Sequence, residues 1–137
     1  MIMNILFQNE SLLAVDKPAG LATVPGGWEP NEPNLLDQLQ ADFGRLWIVH
    51  RLDKVTSGAV VFARDAETHR ALSLLFESRV VDKVYHAIVV GVPAWDEQAA
   101  RHPLRAGAGR AHRTIVDPKN GKAAAPRFRV TRRFDGY

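Results

Sequence analysis

Between two apolar runs the chain carries "HRLDKVTSG", His50 to Gly58. An imidazole, a guanidinium, a carboxylate, an ammonium and two hydroxyls precede a glycine there. A carboxylate held between core strands can act as a nucleophile or a base, and its neighbours tune it. Asp53 is therefore the first candidate for chemistry. Arg51 and Lys54 bring positive charge beside it. Thr56 and Ser57 can shape the turn through hydroxyl-to-backbone bonds, and Gly58 permits a tight exit. The competing reading is a loop aspartate in a structural ion pair, a common fate for such residues.

Tyr85 is the second candidate. In "KVYHAIVV" a strand period places Lys83, Tyr85, Ala87 and Val89 on one face. A tyrosine so placed can stack on a nucleobase. It can equally be a core or edge residue with its hydroxyl at the rim.

Other chemistries lack their residues. There is no cysteine, hence no disulfide, thiolate nucleophile or cysteine-ligated metal, a composition that fits a reducing cytosol. His50, His69, His86, His102 and His112 show no metal-ligand spacing on a common helix face, so no metal is expected. "GAG" at 107–109 lacks the third glycine and the strand–helix setting of a dinucleotide fingerprint, and no phosphate-binding loop of the G-x-x-x-x-G-K type occurs. Ser57, His50 and Asp53 could form a triad on paper, but no nucleophile elbow accompanies them. Neither a signal peptide nor a run of about 18 apolar residues is seen, so a membrane is not an expected partner.

The elements that must position Asp53 follow from pattern. "NILF" and "LLAVDKP" read as a hairpin around Gln8-Asn9-Glu10-Ser11. Lys17 ends the second strand and enters the turn-rich "PAGLATVPGG". "NLLDQLQADF" reads as a helix capped by Asn34, with Asp37 three residues on and Gly44 as its stop. "LWIV" and "AVVFA" are short core strands on either side of the polar cluster, which lies in their connection. "DAETHRALSLLFESR" is an amphipathic helix with Asp65 as N-cap and Ala71, Leu72, Leu75 and Phe76 on one face. "KVYHAIVVG" reads as a strand. From Ala94 to Ala111 the pattern fades and an irregular loop is expected. "RTIVD" and "RFRV" around "PKNG" look like a hairpin with a longer turn. Asp135-Gly136 is a further hairpin signal with only Tyr137 behind it, so the chain reads as the N-terminal piece of a longer protein, the alternative being a frayed tail.

The net charge of +3 is unevenly spread. Residues 1–100 carry 8 Lys/Arg and 13 Asp/Glu, whereas residues 101–137 carry 10 Lys/Arg and 2 Asp/Glu. An arginine-rich segment, 101–133, suits a phosphate backbone, although it can also be a solvated basic surface.

Taken in order, these stretches resemble a known family. "HRLDKVTSG" resembles the H-R-L-D-x-x-T-S-G motif of the RluA-type RNA pseudouridine synthases. "LLAVDKPAGLATVPGG" is similar to that family's opening strand and K-P-x-G turn. "AVVFARDAETHRALSLLFESRVVDKVYHAIVVG" is similar to its next strand, helix and K-x-Y-x-A-x-V-x-G strand. "NGKAAAPRFRV" resembles its G-K-x-A-x-T-x-F strand, with Pro126 in place of threonine. The resemblance runs from Ile5 to about Val130.

It implies an α+β fold, a mixed and largely antiparallel sheet flanked by helices, with 1–137 forming one catalytic domain incomplete at its C-terminus. No separate S4-like domain is expected before Ile5. It implies Asp53 as the catalytic aspartate, Arg51 as an RNA contact filling the space of the extruded base, and Tyr85 as the residue stacking on uracil. The implied reaction breaks the N1–C1′ bond of a uridine in rRNA or tRNA, turns the uracil, and joins C5 to C1′. The aspartate could attack C1′, add at C6 or take a ribose proton. No cofactor is implied, and a cytoplasmic monomer is expected. The family's final motif, roughly G-R-x-H-Q-I-R, is absent from this sequence. A non-catalytic RNA binder using segment 101–133 is the alternative, and a small-molecule hydrolase resting on Asp53 alone is a third.

Overall fold

Asn9 starts the first turn by folding its side chain back on the main chain. Its Oδ1 accepts from Ser11 N at 2.9 Å and from Leu12 N at 2.7 Å. This joins β1 (Asn4–Gln8) to β2 (Leu12–Lys17) as the expected antiparallel hairpin. The computed structural model describes residues 3–26, 31–108 and 113–134. Its contacts divide the chain into two units, Met1–Val84 and Tyr85–Tyr137.

In the first unit β2 pairs with β4 (Gly58–Ala63), which pairs with β3 (Trp47–Ile48); the sheet order is β1-β2-β4-β3, antiparallel throughout. Alternation puts Leu13 and Val15 of β2 beside Val60 and Phe62 of β4 in the buried cluster, joined by Leu21, Leu35, Leu39, Leu46 and Leu52. Lys17 continues the Leu13, Val15 alternation and is fully buried with them. That lysine sits where the next core residue would be.

The helix α1 (Leu35–Phe43) has the expected caps. Asn34 accepts from Asp37 N at 3.0 Å, and Gly44, at φ 72°, donates to Gln40 O at 3.0 Å. Leu35 N and Leu36 N donate to Ala22 O and Thr23 O, which fixes the helix start to the turn after β2. In α2 (Ala66–Glu77) Asp65 caps as expected, accepting from Thr68 N at 2.7 Å. None of its residues is fully buried: Leu72 and Phe76 are half-buried, whereas Ala71 and Leu75 of the expected apolar face are exposed.

Beyond α2 the chain departs from expectation in three places. Residues 83–89 form no strand. The alternation is present, but a strand also needs a partner ladder, and Val84, Ile88 and Val90 are exposed at 82%, 91% and 104%. Second, the expected loop at 94–111 contains β5 (Glu97–Ala99) and β6 (His102–Ala108). These strands carry no alternating apolar face because they bury none; backbone pairing defines them.

Third, "RTIVD" and "RFRV" are not partners. β7 (Arg113–Val116) and β8 (Lys122–Ala124) flank β6 in a three-stranded sheet, and β9 (Arg127–Arg129) pairs with β5. The "PKNG" turn passes the start of β6 instead of closing a hairpin. Asp117 Oδ1 accepts from Lys119 N and Asn120 N, and Gly121 N donates to Asp117 O at 2.8 Å. A Cβ on Gly121 would lie 2.5 Å from Asp117 O and 2.6 Å from Pro103 C. Gly121→Ala should therefore force β6 and β8 apart, with a cost of about 2 kcal/mol or more. Hydrogen exchange at Leu104 and Lys122 should speed up while the first unit stays protected. The Asp135-Gly136 turn lies outside the described residues.

Candidate active site

The connection from Val49 to Ser57 leaves the sheet and returns to it at Gly58. Leu52 points in, at 8% exposed, while Arg51, Asp53, Lys54 and Val55 are exposed. Thr56 N donates to Asp53 O at 3.0 Å, which closes a turn directly after the aspartate. Gly58 begins β4 at φ 128°, a backbone geometry that side chains strain, and this explains a glycine at the exit.

A second loop, 17–23, holds this turn from below. Thr23 Oγ1 donates to Leu52 O at 2.7 Å and accepts from Leu52 N at 3.2 Å, so one buried hydroxyl satisfies both backbone groups of the residue before Asp53. Gly20 N donates to Lys54 O at 2.7 Å. The Lys17 ammonium donates to Leu21 O at 2.7 Å, Pro18 O at 3.0 Å and Lys54 O at 3.3 Å. Burial lowers the Lys17 pKa, and the nearby Asp53 carboxylate pulls it back up. A buried cation thus underlies the exposed carboxylate.

The sequence reading did not assign Lys17 or Thr23 to the site. The signal was present for one of them, since a lysine in phase with Leu13 and Val15 must be buried. Nothing in the sequence distinguishes Thr23 from an ordinary loop threonine. Thr23→Val should cost about 2 kcal/mol, because Leu52 N and Leu52 O both lose their partner. Denaturant unfolding of the variant reads this directly.

Arg51 and Asp53 stand two residues apart on one loop of the first unit. Lys54, expected as a charge beside Asp53, forms an ion pair with Glu32. Tyr85 opens the second unit, is 58% exposed, and lies in no strand. Of the basic segment, Arg105 pairs with Asp117 at 2.7 Å and Arg133 with Asp96 at 2.7 Å, whereas Arg101, Arg113, Lys122, Arg127 and Arg129 lie exposed. Among the described residues no group of three or more His, Asp or Glu could hold a metal, and no helix is long and apolar enough to cross a membrane.

The profile of the RNA pseudouridylate synthase family matches residues 11–136. This chain, with Asp53 in its pinned turn, belongs to that family. It is 34% identical over 129 residues to a dual-specificity RNA pseudouridine synthase RluA of Vibrio vulnificus, covering 94% of this chain and 52% of that protein. It is 36% identical over 145 residues to ribosomal large subunit pseudouridine synthase D of Pseudomonas aeruginosa, covering 98% of this chain and 43% of the relative. The human RNA pseudouridylate synthase domain containing 4 superposes with a TM-score of 0.66 at 26% identity, over 90% of this chain and 51% of that one. Human RNA pseudouridylate synthase domain containing 1 shares the fold at a TM-score of 0.71 and 23% identity, over 92% of this chain and 49% of its own. The chain spans about half the length of these relatives. The expected α+β class, with antiparallel sheets and helices, is the fold observed.

Proposed function

We propose that this chain is part of an RNA pseudouridine synthase that isomerises uridines in rRNA or tRNA, with Asp53 as its catalytic carboxylate. The observation that carries this reading is the exposed Asp53 side chain on a turn whose backbone is fixed by buried Lys17 and Thr23. A reacting group held in one place on a rigid support meets the first demand of catalysis by orientation. Membership of the family supplies the reaction. The N1–C1′ bond breaks, C5 joins C1′, C5 loses its hydrogen and N1 gains one.

The uridine must be flipped out of its stack, at a cost of a few kcal/mol. In this reading Arg51 takes the vacated space and holds RNA, and Tyr85 stacks on the uracil. Exposed arginines of segment 101–133 hold phosphates. Both units, in this reading, belong to one catalytic domain. The enzyme works in the cytoplasm as a monomer, with no metal or organic cofactor.

The test is release of tritium from C5-labelled uridine in rRNA and tRNA transcripts. The chain is assayed alone and in a version extended to the length of its relatives, each beside its Asp53→Ala variant. Product that disappears with Asp53→Ala supports the reading. Salt-sensitive RNA binding without product, unchanged by Asp53→Ala, would replace it with the non-catalytic RNA binder.

A further inference from the structure

The β3–β4 ladder ends one rung early. Arg64 N donates to Ser11 O, so alternate residues Phe62 and Val60 turn their backbone groups toward β2, and Ala63 and Val61 turn theirs toward β3. Ala63 meets Trp47 in register, and continuing that register would place Val61 opposite Val49. The Val61 N–H has no strand carbonyl there, because β3 stops at Ile48. It donates instead to His50 Nε2 at 3.1 Å.

The imidazole is itself held. It stacks on Phe76 of α2 with ring centres 4.7 Å apart and planes 16° from parallel. His69 of α2 reaches Ile48 O, the last residue of β3, at 3.1 Å. The strand end and the histidine that follows it are both fastened to one helix.

We propose that His50 is a positioning residue for Asp53: its neutral ring stands in for the missing β3 carbonyl and fixes the point where the chain turns off the sheet. The inference rests on the assignment of Asp53 as the catalytic carboxylate. Two residues separate them, and one of these, Leu52, is clamped by Thr23. The direction in which the turn leaves β3 therefore sets where the carboxylate stands.

The contact needs one tautomer. An accepting Nε2 carries no proton, so the proton sits on Nδ1. Protonation of the second nitrogen would set two N–H groups against each other and open the rung. The charge that acts on the ring is Lys83, after α2; His69 of α2 is engaged with Ile48 O, and β4 offers only apolar side chains. Burial, and then the Lys83 charge, lower the His50 pKa below its ordinary 6.5. A depressed histidine pKa makes the contact fully present above 6.5, and it is lost as the pH falls through the folded-state value.

Three measurements on this chain and its extended version test the idea. In wild type, long-range proton–nitrogen spectra should show an unprotonated Nε2 at neutral pH. The Thr56 amide, hydrogen-bonded to Asp53 O, should shift as the pH falls through the His50 titration. His50→Gln puts an amide oxygen near the Nε2 position and should keep Val61 N–H protected. It should also keep kcat within about threefold and remove the His50 component of the acid limb. His50→Ala should expose Val61 to exchange and lower kcat by about 10- to 100-fold with KM little changed. A proton on Nε2 in the wild type, or glutamine losing as much protection as alanine, would overturn the proposal. Loss of product in every protein with the Val61 results intact would instead overturn the assignment of Asp53 and leave the ladder contact standing.

Discussion

Asp53→Ala should remove pseudouridine formation, a fall of at least about 10³-fold, and should leave the fold and RNA affinity nearly unchanged. The size follows from what the carboxylate would do. Whether it attacks C1′, adds at C6 or takes a ribose proton, it acts on the reacting atoms, and groups in that role carry 10²- to 10⁴-fold or more. The selectivity follows from the structure. Asp53 is exposed, and the turn around it is made by its backbone oxygen, by Leu52 and by Lys54, none of which needs its side chain. Unfolding free energy should move by less than about 0.5 kcal/mol, the usual range for a surface substitution. The variant should also shift Lys17, because the Asp53 carboxylate raises the pKa of that ammonium. Tritium release, denaturant unfolding and RNA binding at two salt concentrations separate these effects. Retained product in the alanine variant would remove Asp53 from the mechanism.

What could be read from the sequence follows from where burial is strong. The hairpin, both helices with their caps, and the strands flanking the polar cluster all lie in the first unit, where alternation in β2 and β4 and the 3.6-residue period of α1 report a buried face. Asn34 and Asp65 were readable because a cap is a local event of three or four residues. The second unit offered no such signal. β5 and β9 are exposed at every residue, so their pairing leaves no hydrophobic trace. "KVYHAIVV" has the trace but no described ladder, which shows that period alone does not make a strand. In the site, Asp53 and Arg51 stood out because charged residues between core strands are unusual. Thr23 and the ring of His50 act through backbone contacts to one residue each, Leu52 and Val61, that depend on the fold, and neither leaves a pattern in the chain.

Lys17→Met should separate support from chemistry. Methionine keeps the volume and apolar stem but withdraws the donor from three carbonyls. Lys54 O still receives Gly20 N at 2.7 Å, and its bond from Lys17, at 3.3 Å, is the longest of the three. The loss therefore falls on Leu21 O and Pro18 O, bonded at 2.7 and 3.0 Å. A charged donor contributes about 1.5–3 kcal/mol per bond, but removing a buried ammonium also relieves its desolvation. A net loss of about 2–3 kcal/mol is expected, which small domains can survive. Catalysis should suffer more than stability: the loop beneath Asp53 loosens, and a displacement of about 1 Å can cost about 100-fold in kcat. RNA affinity should hardly change, since a fully buried side chain touches no substrate. Lys17→Arg should not rescue, because a planar guanidinium cannot occupy an ammonium site lined by three converging carbonyls. The pH dependence gives an independent sign. Because burial lowers the folded-state pKa below 10.5, the unfolded chain binds the proton more tightly. The contribution of Lys17 to stability is then full above 10.5 and falls as the pH drops through the folded-state value, so the stability gap between wild type and Lys17→Met should widen as pH rises toward 10.5. A gap that narrows with pH, or a kcat that survives the substitution, would show that the carboxylate is held by something other than this lysine.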